Sequence, residues 1–181
     1  MNLKEFYQKK ARTQLKQEFG YKNELQVPKL TKVVLNAGLS KGLKDATFIE
    51  NVESTLLRIS GQKPLKTKAK KSISNFKIRQ GMVIGMKVTL RGKYMWDFVE
   101  KLIKITLPRV RDFRGLDLKT LDKNGNLNIG IKEHLAFPEI KADEIERLHG
   151  LEIALVTTAE TKAEGKALFI ALGFPFKESK K

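Results

Sequence analysis

The chain contains no cysteine, which excludes disulfides, thiolate-held zinc and thiol nucleophiles and is compatible with a reducing cytosol. Histidine is almost as scarce: His134 and His149 are the only two, and nothing nearby assembles a nucleophile, a base and an oxyanion hole around either. Long apolar runs are missing as well. The longest, Ala167 to Phe176, is broken by Gly173 and Pro175 and is about half the ~20 residues a membrane helix needs. The N-terminus is charged from Lys4 onward, with no apolar core for a signal peptide. Acidic residues are absent from one whole segment, because none occurs between Glu53 and Asp97. These absences lead us to expect a soluble, cytoplasmic, non-enzymatic protein that needs no metal or other cofactor.

That acid-free segment holds eleven basic side chains: Arg58, Lys63, Lys66, Lys68, Lys70, Lys71, Lys77, Arg79, Lys87, Arg91 and Lys93. They account for most of the formal net charge of +16. So much like charge opposes compaction unless something neutralises it, and a polyanion is the usual partner. The segment is not a disordered tail, since it contains the apolar run GMVIGMKVTL. At 181 residues and 41% hydrophobic, the chain is long enough for one compact domain.

Helices and strands alternate along the chain. Asn2 with Glu5 resembles a capping box for a helix whose stripe Leu3, Phe6, Tyr7, Ala11, Leu15 and Phe19 stops at Gly20. KLTKVVLNAGL reads as a largely buried strand, and Asp45 caps a helix that ends at Gly61. Two strands follow around a loop, then a helix from about Tyr94 to Leu107 that Pro108 should stop. Asn124-Gly125 signals a hairpin, LEIALVTT a last strand, and Thr161 with Glu164 a cap on the final helix.

Alternation across the two basic strands gives the most specific expectation. Lys66, Lys68 and Lys70 should share one face and Leu65, Thr67 and Ala69 the other. In the next strand Ile84, Met86, Val88 and Leu90 point one way, and Lys87, Thr89 and Arg91 the opposite way. With the apolar sides under helices, an open surface of positive charge and hydroxyls remains, suited to phosphates and riboses. No phenylalanine falls on these polar strand faces, which favours reading of backbone and shape over base stacking.

Weaker patterns carry less. Asp122, Asn124, Asn126 and Glu133 have calcium-loop spacing with the glycine misplaced. Asp143, Glu144 and Glu146 fit a solvated helix face better than a metal site, and Gly165-Lys166 lacks the rest of a phosphate loop. An RNA-processing enzyme would need clustered carboxylates or a histidine pair facing the basic sheet. A peripheral membrane protein would need an apolar insertion helix beside the lysines.

The run LLRISGQKPLKTKAKKSISNFKIRQGMVIGMKVTLRG, followed in order by LPRVRDFRGL, FPEI, VTTA and GFPF, resembles the bacterial large-subunit ribosomal protein five family from about Leu25 to Phe176. PKLTKVVLNAGLSKG adds to the likeness; Lys123, Leu127 and Ala142 depart from the family's usual residues. The resemblance implies an α+β fold, an antiparallel sheet with helices packed on one face and an open basic RNA-binding face on the other. It further implies a place in the central protuberance, with 5S ribosomal RNA (rRNA), large-subunit rRNA, the peptidyl-site transfer RNA and small-subunit ribosomal protein thirteen as partners. Neither a membrane nor a homo-oligomer is expected. By position it assigns rRNA binding to Asn36, Ala37, Gly38, Gln62, Lys63, Lys66, Lys68, Thr89 and Arg91. Transfer-RNA contact falls to the loop at about 72–82, through Ser72, Ser74, Asn75, Phe76, Lys77, Arg79, Gln80, Gly81 and Met82. The intersubunit bridge falls to Arg109, Arg111, Asp112, Arg114, His134 and Glu139.

Overall fold

The computed structural model describes residues 1–43, 45–141 and 147–177. Five antiparallel strands form one sheet in the order β2-β3-β1-β5-β4, and helices complete the α+β fold expected from the sequence. The strands are β1 Leu30–Gly38, β2 Leu65–Lys68, β3 Val83–Leu90, β4 Leu127–Ile131 and β5 Leu151–Thr157. Contacts divide the chain into two compact units, one of Met1–Val33, Leu90–Ile129 and Ala154–Lys181, the other of Val34–Thr89 and Gly130–Ile153.

Among the described residues the first unit holds three long helices. The N-terminal helix runs as Leu3–Phe6, a π-turn Tyr7–Ala11 and Arg12–Phe19; Asn2 Oδ1 accepts from the Glu5 N–H at 2.9 Å, and Gly20 closes the helix in the left-handed region at φ 66°. Its start is fastened by the Leu3 N–H donating to the Glu100 carboxylate at 3.1 Å, and its middle by the Tyr7 hydroxyl donating to Pro28 O at 2.9 Å. Burial pushes the Tyr7 phenol up to about 12.

The second helix begins at Gly92, two residues before the expected start, and passes through Pro108 to Arg109. A π-turn at Leu102–Thr106 explains the tolerance. The Leu107 N–H reaches back to Leu102 O, and this widened turn relieves the carbonyl a proline ring would strike. The third helix, Lys162–Ala171, carries the expected Thr161–Glu164 capping box. Glu164 also accepts from the Tyr21 hydroxyl at 2.6 Å, and burial together with that bond raises the Tyr21 phenol.

The Asn124-Gly125 turn closes through the Asp122 N–H to Asn126 O at 3.0 Å, but the arm before it makes only one bridge, Leu121 to Leu127. Both Asp122 carboxylate oxygens accept from Asn126, at 2.7 and 2.8 Å, so the apparent calcium ligands brace a turn. Gly125, at φ 72°, lies against Gly165, where a Cβ would come within 2.4 Å of the Gly125 backbone.

In the second unit, Asp45 caps the Ala46–Ser60 helix through the Phe48 N–H, and Gly61 ends it at φ 68°. Phe48, Val52, Leu56 and Ile59 are its buried stripe. His134 and His149 are both buried and stack at 4.0 Å with planes 12° apart; the His149 N–H meets His134 Nδ1 at 3.3 Å. Desolvation, then the neighbouring ring, pushes His149 down to about 4, and desolvation also lowers His134. Both rings are therefore neutral near pH 7. Asp143, Glu144 and Glu146 lie outside the described residues.

Candidate nucleic-acid interface

Alternation sorts the central strands into two faces, from Val33 onward on β1 and from Met86 onward on β3. On β1 Val33, Leu35 and Ala37 are buried, leaving Val34, Asn36 and Gly38 on the opposite side. On β3 Met86, Val88 and Leu90 are buried, while Lys87 is exposed and Thr89 partly so. On β5 Leu151 and Ile153 are inside and Glu152 outside. Each half follows from burying the apolar residues on one side of a pleat, so Asn36, Gly38, Lys87, Thr89 and Glu152 share the open face. Ala37, assigned to rRNA by resemblance, has its methyl in the core.

Strand β2 departs from the expectation. Lys66 pairs with Met86, which places it on the core side of the sheet, and Leu65 pairs with Lys87 on the open side. As β2 is an edge strand, Lys66 overhangs the core instead of entering it, and its Nζ meets Glu53 of the Ala46–Ser60 helix at 2.7 Å. That hydrogen-bonded ammonium holds the Glu53 carboxyl below its ordinary value. The register then slips between Thr67 and Lys68, bringing Lys68 opposite Val83 and onto the open face. Leu65, assigned above to the packed side, is 62% exposed. Lys66 and Lys68 thus do not share a face.

Three other assigned residues lie next to helix ends. Gln62 and Lys63 are exposed after the helix, with the Gln62 backbone pinned on both sides by the Ser60 hydroxyl. Arg91 is exposed at the start of the next helix, in the first unit. Gly38 and Gly130 face open space: a Cβ at either would meet nothing within 4 Å. Gly85 is different, since a Cβ there would crowd Thr67 Oγ1 at 3.0 Å and Ala37 O at 3.1 Å. Sequence reasoning missed two acids, Glu53 and Glu152. Glu152 was findable from its place between inward Leu151 and Ile153; Glu53 needed the edge geometry.

The loop after β2 is a braced finger. Ile73 and Ile78 exchange backbone hydrogen bonds of 2.9 and 3.1 Å around a turn at Ser74–Phe76. Gln80 N–H donates to Ser72 Oγ at 2.9 Å, and Gly81, at φ 86°, returns its N–H to Ala69 O at 3.0 Å. Lys77 takes the left-handed region at φ 54°, a conformation that costs a non-glycine residue roughly 1 kcal/mol or more. Ser72, Ser74, Asn75, Phe76, Lys77, Arg79 and Gln80 are all exposed, and Phe76 is 68% so. Phe76, Lys77 and Met82 also wall a groove of about 450 Å³ with Ser40, Leu43 and Asp45.

The residues assigned to the bridge divide. Arg109, Arg111, Asp112 and Arg114 are exposed in the first unit, with Asp112 at φ 56°. In the second unit Glu139 is half-buried, its backbone carbonyl accepting from the Arg58 guanidinium, and His134 is 2% exposed. A ring so buried cannot meet a partner, which removes His134 from any docking surface.

Among the described residues no group of three or more potential metal ligands occurs, and no helix is long and apolar enough to cross a membrane. Comparison with known proteins gives the class: residues 23–79 match the family described as Ribosomal protein L5, and residues 83–176 match the C-terminal region of the same ribosomal family. The chain belongs to the ribosomal protein L5 family, which is not enzymatic. It is 52% identical over 178 residues to the large ribosomal subunit protein uL5 of Wigglesworthia glossinidia brevipalpis, covering 98% of this chain and 100% of that one. The uL5 of Thermus thermophilus is 52% identical over 176 residues, 97% of each chain, and that of Symbiobacterium thermophilum 50% over 177 residues, 98% of each.

Proposed function

We propose that this chain is a cytoplasmic structural constituent of the large ribosomal subunit, where its open sheet face binds 5S rRNA and fastens it to the large-subunit rRNA in the central protuberance. The observation that carries this reading is the split in β3 and β1, which leaves Lys87, Thr89 and Asn36 uncovered opposite a helix-packed core. Hydroxyls, an amide and cations on a bare pleat offer the donors that riboses and phosphates accept. Glycine at 38 and 130 leaves the backbone open to close approach.

The finger serves a second RNA in this reading, the peptidyl-site transfer RNA. Lys77 and Arg79 supply charge, and the internal bonds across Ile73 and Ile78 hold the tip in one shape. Arg109, Arg111, Asp112 and Arg114 form an exposed charged turn suited to a protein partner, and small-subunit ribosomal protein thirteen is the proposed one. Gel-shift titration with transcribed 5S rRNA tests the first contact. Replacing Lys68 and Lys87 with Ala should weaken binding and flatten its salt dependence; unchanged binding in that double variant would rule out the open face. Shortening Ser74–Arg79 to a Gly-Ser turn should leave 5S binding intact while reducing protection of transfer RNA in chemical footprinting of reconstituted ribosomes.

A further inference from the structure

One acid sits on the face proposed for RNA. Glu152 projects from β5 beside Asn36 of β1, and Asn36 Nδ2 donates to Glu152 Oε2 at 3.2 Å. A carboxylate repels phosphate, so its presence on a phosphate-binding surface calls for a different ligand group. The bond from Asn36 Nδ2 takes one lone pair of Glu152 Oε2, so the two oxygens of that carboxylate can still accept two donors side by side while Asn36 holds it in place. The pair therefore selects groups that present hydrogen-bond donors side by side. Of the four bases, only guanine does so on its Watson–Crick edge, through N1–H and the N2 amino group. Adenine and cytosine place an acceptor nitrogen beside their amino group, and uracil flanks its single N–H with carbonyls. Open space at Gly38 and Gly130 gives a planar base room to approach.

We propose that Asn36 and Glu152 together read the Watson–Crick edge of an unpaired guanine in the bound RNA. This adds a base-specific contact to a surface that otherwise meets backbone, and it rests on the 5S reading above. Lys87, exposed on the same face of β3, supplies a cation for the phosphate that follows. Glu152→Gln is the informative variant, because glutamine keeps an acceptor for Asn36 while losing the paired acceptors that guanine needs. Binding of transcribed 5S rRNA should weaken about tenfold, the lower range for losing one bidentate base contact, with an unchanged melting temperature and salt slope.

The deciding measurement is interference mapping with 5S transcripts carrying randomly placed inosine phosphorothioate, since inosine lacks only the N2 amino group of guanosine. One position should exclude inosine from the RNA retained by the wild-type protein and accept it in the RNA retained by Glu152→Gln. If no position depends on Glu152, or if the variant binds as tightly as wild type, Glu152 merely orients Asn36 and the proposal fails. A parallel pool with 2′-deoxy substitutions showing the dependence instead would assign the pair to a ribose and overturn the guanine reading. Failure of the wild-type protein to bind any 5S transcript would defeat the underlying reading itself, a result distinguishable from all of these.

Discussion

Strands β2 and β3 are neighbours with the same kind of sequence, lysines alternating with apolar or small residues, yet alternation describes only one of them. Strand β3 lies between β1 and β2, and burying Met86, Val88 and Leu90 fixes its register, because a slip of one residue would bury Lys87. Strand β2 is four residues long at the sheet edge, with an irregularity between Thr67 and Lys68. Its lysines go where the partner strand and the nearest carboxylate put them. Alternation is thus a statement about burial, and it loses force where a strand has little to bury.

The register pair Met86 and Lys66 provides the largest test of that difference. Met86→Ala removes a fully buried side chain and should cost about 2–5 kcal/mol of unfolding free energy, whereas Lys66→Ala should cost less than about 1 kcal/mol, the range of exposed ion pairs. Urea denaturation of the two variants gives both numbers; equal losses would mean that the edge is as firmly specified as the centre.

Acid titration sharpens the same contrast between interior and edge. The folded His149 value of about 4 lies below its ordinary 6.5, so the unfolded chain binds the extra proton first. Stability is complete above about pH 6.5 and should fall by roughly 3 kcal/mol as pH drops to about 4. Glu53, lowered by Lys66, supports the fold above its ordinary carboxylate value and loses that support only at lower pH. Melting curves between pH 6.5 and 5 should therefore decline in the wild type and in Glu53→Gln alike. A decline abolished by Glu53→Gln would shift the acid sensitivity to the edge.

Smaller effects are expected on RNA binding. Gly38→Val places a β-branched side chain in open space on β1, so folding should be unharmed while 5S affinity falls about tenfold, or ~1.4 kcal/mol. Smallest of all is the separation among the lysines. Lys68→Ala and Lys87→Ala should each lower the salt slope by about one unit, and Lys66→Ala by less, since Glu53 already holds that ammonium. An equal drop for all three would mean that Lys66 leaves Glu53 when RNA binds.

Much of this was legible in the sequence, for identifiable reasons. Caps at Asn2, Asp45 and Thr161, stops at Gly20 and Gly61, and the two faces of β3 depend on short-range stereochemistry or on one buried side, and the structure shows them as read; β1, expected to be largely buried, buries only one of its sides. The passage through Pro108 was not legible, because it depends on a π-turn that no residue pattern announces. Neither was the histidine stack, whose rings meet across fifteen residues only when the fold closes over them. For the candidate interface, charge and alternation supplied Lys87 and Thr89. The Lys66–Glu53 pair and the turning of Lys68 had to come from the pairing itself.

The contact between Gly125 and Gly165 limits how the chain can change over generations. Alanine is the smallest step away from glycine, yet its single methyl at position 165 would lie 2.4 Å from the Gly125 backbone, and one at 125 would lie 2.7 Å from the Thr161 carbonyl. Neither site has a gentle first mutation, and changing both together adds two methyls to a space that accepts none. The route to any other residue runs through moving the turn or the helix start, so these two codons are closed to gradual drift.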